Sequence, residues 1–224
     1  TEISVGRGDL EQALRFSADA VTTLENSPPA ARLRAGEVYR AHSLALHELG
    51  RNTEALEYAH RALEGLQSQR PLRTEGVSES LNLIGVIHAD LGDFAEAESW
   101  YRRALQFRQE NGADSPEKLV RVMNNLAVAL MSQPERLEEA ARAFDDAIPM
   151  ARRAGAAPPV IGTLLTNQAN VYTLLEDVAA AEAAYVEALE VMRPAIGADH
   201  PSSLTTAVSL ASLYEFADDL ARAE

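Results

Sequence analysis

The chain has 224 residues, 46% hydrophobic and 24% charged, with no cysteine and a formal net charge of −14. This length allows one or two globular domains. The missing cysteines exclude a disulfide framework, a thiolate metal site and a thiol nucleophile. Thirty-four acidic residues against twenty Lys and Arg argue against a general nucleic-acid binder, which draws on clustered positive charge. No apolar run approaches the roughly 18 residues of a membrane span, and no secretory leader pattern is present. A cytoplasmic location is therefore expected. Aromatic residues make up only 5%, while alanine alone supplies 40 residues. Such a composition favours helix and a core of Ala, Leu and Val.

Taken in chain order, six segments share one pattern: Gly8 to Val21, Gly50 to Leu63, Gly92 to Leu105, Glu135 to Ile148, Glu176 to Leu189 and the shortened Asp218 to Glu224. Their first alanines are Ala13, Ala55, Ala97, Ala140, Ala181 and Ala223, spaced by 42, 42, 43, 41 and 42 residues. Near-equal intervals of this length are the signature of a repeat array. Each unit predicts two helices. In the clearest, Leu81, Ile84, Val86, Ile87 and Leu91 form one apolar stripe, and Phe94, Ala97, Tyr101, Ala104 and Leu105 form another. Gly92-Asp93 breaks the helix between them. Two amphipathic helices with a short connection lie antiparallel, and such a hairpin buries its apolar face only by stacking on neighbours.

The expected repeats are residues 29–70, 71–112, 113–155 and 156–197, with partial ones at 1–28 and 198–224. Their helix contacts are written in small residues: Ser43, Ala55 and Ala62; Gly85, Ala97 and Ala104; Ala127, Ala140 and Ala147; Ala169, Ala181 and Ala188. A larger side chain there would overpack the contact. Tyr101, Phe144, Tyr172, Tyr185 and Tyr214 are expected to fill the spaces beside them. Two turns lack the glycine, at Ser132-Gln133-Pro134-Glu135 and at Glu176-Asp177. Pro or Asp is expected to break the helix there instead. Because the chain starts near the second helix of one repeat and stops early in the second helix of another, it is expected to be a fragment of a longer protein.

These residues resemble the tetratricopeptide repeat. Leu81 to His88 reads Leu-x-x-Ile-Gly-x-x-His where that family has Trp-x-x-Leu-Gly-x-x-Tyr, and Ala97, Tyr101 and Ala104 fall on its Ala, aromatic and Ala positions. The long period is similar to the kinesin-light-chain type, which is also widespread in bacterial signalling and scaffold proteins. Asn124-Asn125-Leu126-Ala127 and Gly197-Ala198-Asp199-His200-Pro201 support this; Asn111 to Pro116 and Gly155 to Pro159 are weaker copies of the second motif. Nineteen arginines against a single lysine, Lys118, accord with a bacterial source. The resemblance implies an all-α fold, an α-solenoid wound as a right-handed superhelix of antiparallel hairpins. It implies a concave groove lined by the first helix of each pair.

Carried onto this chain, the groove positions are Arg40, Leu44 and His47 in the first full repeat, and Asn82 and Val86 in the second. Arg121, Asn124, Val128 and Met131 follow in the third, then Thr166, Asn170 and Thr173 in the fourth. Asn both donates and accepts, so it can grip a peptide backbone of any sequence. Arg40 and Arg121 can hold a carboxylate by two parallel bonds, or pair with nearby acids. Val86, Val128 and Met131 can accept an apolar side chain.

Nothing in the chain carries chemistry. There is no His-Glu-x-x-His, no P-loop and no Gly-x-Ser-x-Gly. Asp145-Asp146, Asp218-Asp219 and Glu138-Glu139 are adjacent on helices and diverge by about 100°, so they are solvated faces. Arg7-Gly8-Asp9 is read as a repeat turn, His88 as a packing residue and His200 as part of a helix start. The chain is expected to be non-catalytic, with no cofactor and no metal, binding a peptide or partner-protein segment and neither nucleic acid nor membrane. A regulatory array inside a larger bacterial regulator and a self-associating module using open solenoid ends are the alternatives. Charge divides unevenly: from Ala154 onward two bases oppose ten acids, while the first 153 residues hold eighteen bases and twenty-four acids. An acidic or C-terminal carboxylate segment therefore suits the middle groove, and a basic one the acidic end.

Overall fold

Alanine-rich amphipathic segments punctuated by single turn residues produce ten helices in chain order in the computed structural model, which describes residues 7–28, 34–69, 71–111 and 115–223. They are α1 (Arg7–Glu25), α2 (Ala35–Glu48), α3 (Asn52–Gln67), α4 (Thr74–Asp90) and α5 (Phe94–Asn111). After these come α6 (Pro116–Met131), α7 (Leu137–Arg153), α8 (Pro158–Leu174), α9 (Val178–Ile196) and α10 (Pro201–Ala223). The fold is all-α, an α-solenoid built of antiparallel hairpins. Two units divide it, Thr1–Ala113 and Asp114–Glu224. In the first, α2 pairs with α3 and α4 with α5, while α1 packs on α2 and α3 on α4. In the second, α6 pairs with α7 and α8 with α9, while α7 packs on α8 and α9 on α10. Part of the motif copy at Asn111 to Pro116, residues 112–114, lies outside the described residues, as do residues 29–33.

The small-residue positions are the hairpin contacts. Ser43, Ala55, Ala62, Ala97, Ala104, Ala127, Ala140, Ala147, Ala169, Ala181 and Ala188 are all fully buried. Ser43 does more than fit, donating its Oγ to the Ala55 carbonyl at 2.7 Å. A Cβ added at Gly85 would lie 2.6 Å from the Tyr101 ring. Tyr101, Phe144 and Tyr185 are buried as expected. Tyr214 is not. It is 47% exposed, with its hydroxyl donating to Glu182. Phe144 anchors the unit-2 core among Val120, Leu130, Ile148, Leu164, Leu165 and Met192.

Three turns differ in instructive ways. Gly50, Gly92 and Gly155 take positive φ, as hairpin turns and helix ends require. The third-repeat turn is instead a single 3-10 turn at Pro134–Arg136. At the fourth, Glu176 itself is forced to φ 60, and Asp177 caps α9 by accepting from the Ala180 amide at 3.0 Å. The expected sixth turn, at Asp218, does not form: α10 runs unbroken to Ala223. The Glu176 turn is held by α9 packing on α8. At Asp218, by contrast, the chain stays helical. Likewise Arg7-Gly8-Asp9 opens α1 rather than forming a turn.

A left-handed conformation costs a non-glycine residue about 1–2 kcal/mol. Glu176→Gly should therefore stabilise unit 2, by about 0.5–1 kcal/mol after the extra unfolded-chain entropy of glycine is subtracted. A rise in the urea midpoint at constant m-value is the check; an unchanged or lowered midpoint contradicts it.

Candidate functional site

The expected groove residues sit on the first helices, but the two units use them differently. In unit 1 the charged ones pair within the protein. Arg40 Nη1 lies 3.1 Å from Glu79 Oε2, linking α2 to α4. His47 Nε2 lies 2.7 Å from Asp90 Oδ2, a second α2–α4 link, and Arg73 closes a third onto Glu37. The partners expected for Arg40 were acids one turn away; its partner is an acid of the next repeat, because adjacent first helices run side by side. Leu44 is 43% exposed. Asn82 is buried rather than open to a ligand, and Val86 is half-buried. Unit 1 thus spends the polar heads of Arg40 and His47 on its own repeat stacking.

His42, on the same helix, is a core residue. Its Nδ1 lies 2.8 Å from Ser17 Oγ, and its ring meets Tyr58 edge-on with centroids 4.5 Å apart. Burial, reinforced by the Arg51 charge, holds its pKa below the ordinary 6.5. The folded state therefore keeps His42 neutral where the unfolded chain would protonate it. Its stabilising contribution is full above pH 6.5 and is lost as pH falls from there through the lower folded value. Unit 1 should lose thermal stability between pH 7 and 5, and His42→Gln should flatten that slope in melting curves taken across the range. Equal slopes would exclude His42 as the titrating group.

In unit 2 the polar groove residues form cross-helix pairs. Asn124 Oδ1 accepts from Asn167 Nδ2 at 3.0 Å, joining α6 to α8. Thr166 Oγ1 lies 2.9 Å from Thr206 Oγ1, joining α8 to α10. Asn170 Oδ1 accepts from the Tyr185 hydroxyl at 2.5 Å, so this amide is held by its own hairpin. Thr173 donates back to the Ala169 carbonyl at 2.9 Å. Val128 and Met131 are half-buried against the core. Asn167 and Thr206 were absent from the expected set. Asn167 sits one residue past the repeat register, where strict spacing does not look, though an amide beside Thr166 on a first helix was a usable signal.

Arg121 stands apart. It is exposed and makes no hydrogen bond or ion pair among the described residues. It borders a cavity of about 610 Å³ formed by the start of α6, the Gly155-Ala156-Ala157 turn and the first turns of α8. Val120, Ala156, Ala157, Val160 and Leu164 make its apolar lining, and Lys118, Arg121, Asn124, Glu117 and Thr163 its polar one. Val160 is 44% exposed, an apolar side chain left facing solvent at the cavity mouth. The cavity exists because the α7–α8 connection is made of Gly and Ala, whose side chains cannot fill the space. Among the described residues no group of three or more His, Asp or Glu could hold a metal ion. No described helix is long and apolar enough to cross a membrane.

Comparison with known proteins bears on the fold. The family model of the tetratricopeptide repeat matches residues 76–153 and 160–224. No curated protein sequence matches the chain. Among solved structures, BtubC (BKLC) from P. vanneervenii superposes with a TM-score of 0.78 at 20% identity, covering 94% of this chain and 85% of that one. A putative kinesin light chain with TPR-like repeats from Podosopora anserina gives 0.67 at 14% identity over 84% of this chain and 90% of that one. Bacillus thuringiensis PlcR, crystallised with the peptide PapR7 and DNA, gives 0.65 at 18% identity over 91% of this chain and 68% of that one. At these identities the likeness is one of fold.

Proposed function

The chain belongs to the tetratricopeptide repeat family, and from that premise we propose that it is a non-catalytic interaction module holding a peptide or partner-protein segment on the first-helix face of unit 2. The observation that carries this reading is Arg121, exposed and without a hydrogen bond or ion pair among the described residues, beside a cavity with an apolar lining and the Asn124 amide. In unit 1 Arg40 is already paired with Glu79, and His47 Nε2 lies against Asp90. An arginine without a carboxylate partner keeps its planar pair of donors available for one. The cavity is of the size that takes a few side chains. Peptide-bound PlcR shares the fold and supports the reading by analogy.

The test selects a random dodecapeptide library against the wild-type chain and titrates the winning peptide by fluorescence anisotropy. Arg121→Ala with Asn124→Ala is expected to weaken binding by at least tenfold, and binding should weaken with salt. Affinity unchanged in the double variant, or independent of salt, would sink the groove reading.

A further inference from the structure

The second helices of unit 1, α3 and α5, carry the same device twice, once filled and once open. In α3, Tyr58 and Arg61 stand three residues apart. The Arg61 guanidinium lies 4.2 Å from the Tyr39 ring centroid and 5.0 Å from that of Tyr58. It donates to the Tyr39 hydroxyl at 2.8 Å and to the Glu25 carboxylate in the last turn of α1. One period of 42 residues later, Trp100 and Arg103 repeat this pair on α5. Arg103 lies 3.9 Å over the Trp100 ring. Its partners have changed, however. Leu81 stands where the first copy has Tyr39, and Gln67 where it has Glu25. Leu81 has no hydroxyl to accept a bond, and Gln67 has no charge. Arg103 is exposed and makes no hydrogen bond or ion pair among the described residues.

An arginine stacked on an aromatic face keeps its planar fork of donors ready for a carboxylate. Trp100 also meets His60 of α3, with ring centroids 5.3 Å apart, so the patch spans both second helices. Trp and Arg are the side chains that most often anchor protein–protein contacts. Glu64 and Glu96, one turn from His60 and Trp100 on their own helices, are exposed. Their charge opposes a run of acids, so the patch suits one carboxylate and not a polyacidic segment. We propose that the Trp100–Arg103 face is a second interaction surface, on the second helices and apart from the first-helix groove. It receives a single Glu presented by a helix of a partner protein, as Arg61 receives Glu25 from α1.

The test uses the whole chain and the emission of Trp100, its one tryptophan. A library of helical peptides with one fixed central Glu and random flanks is selected on the wild type after depletion on Arg103→Gln. The winning peptide should change Trp100 emission saturably. Replacing its Glu by Gln should weaken binding by about tenfold, the worth of one charge-assisted pair. Gln67→Glu should also weaken it, by giving Arg103 within the chain the carboxylate that Arg61 already has. Gln67 and Arg103 are both exposed, so neither substitution touches the core. The proposal is overturned if no peptide separates the wild type from Arg103→Gln. Equal binding by the Gln peptide or by the Gln67→Glu variant overturns it too, as does acetate reproducing the emission change at the same concentration. A winner that needs Arg121 and Asn124 belongs to the groove, which sinks this surface and leaves the groove reading standing.

Discussion

Phe144→Ala is expected to destabilise unit 2 by about 3–5 kcal/mol, the range for removing a large aromatic from a packed core. Phe144, on α7, is fully buried and belongs to the unit-2 core cluster. The same cluster holds Leu164 and Leu165 of α8 and the alanines Ala140, Ala147 and Ala151 of α7. Alanines cannot lean into a void, and the helices are held apart by their own backbones. The cavity left behind would therefore collapse poorly, which puts the loss at the upper part of the range. Urea unfolding followed by circular dichroism measures it. A loss below about 1 kcal/mol, as for a surface substitution, would show that Phe144 does not organise this core.

Gly36→Ala should be the most damaging single-methyl change. By helix propensity alone it would stabilise α2 by up to about 1 kcal/mol. Packing reverses the sign. A Cβ at Gly36 would lie 2.6 Å from Leu66 Cγ, 2.7 Å from the Leu66 amide nitrogen and 2.8 Å from the Ala62 carbonyl oxygen. Two of those three atoms are backbone of α3 and cannot rotate aside. The α2–α3 pair must separate, with a net loss of about 1–3 kcal/mol. Gly162→Ala is the control. Its Cβ would come within 2.2 Å of Met192 Cγ, a nominally worse clash, but the three nearest atoms all belong to one unbranched side chain and none is backbone. Gly36→Ala is expected to lower the melting temperature more than Gly162→Ala does. The reverse order would mean that side-chain crowding, rather than backbone approach, limits these hairpins.

The charged first-helix positions show why a site is harder to read than a fold. Arg40 and Arg121 are the same residue type on equivalent faces, and the sequence ranks them alike. Their difference lies in Glu79, thirty-nine positions away from Arg40, which the stacking of α4 on α2 brings to 3.1 Å. His47 is likewise claimed by Asp90 at 2.7 Å. Asn170 looked like a ligand-facing amide and is held by Tyr185 at 2.5 Å across the hairpin. Each of these partners belongs to another helix, so no local pattern marks it. The cavity at Arg121 was invisible for a related reason: it is space left over when Gly155, Ala156 and Ala157 meet α6 and α8.

What the sequence by itself determined is the helical class, the repeat period, the hairpin pairing and the small-residue contacts. All of these follow from spacing along one chain: helical periodicity, turn residues and alanines recurring at 41 to 43 positions. The tertiary structure decided which groove charges are spent, which small residues meet backbone rather than side chain, and whether a weak turn forms. Glu176 bends at φ 60 because α9 packs back on α8. Asp218 stays helical within α10. The physical reason is common to all three: local propensity differs between alternatives by about 1 kcal/mol. Contacts supplied by a neighbouring helix are larger, so they choose.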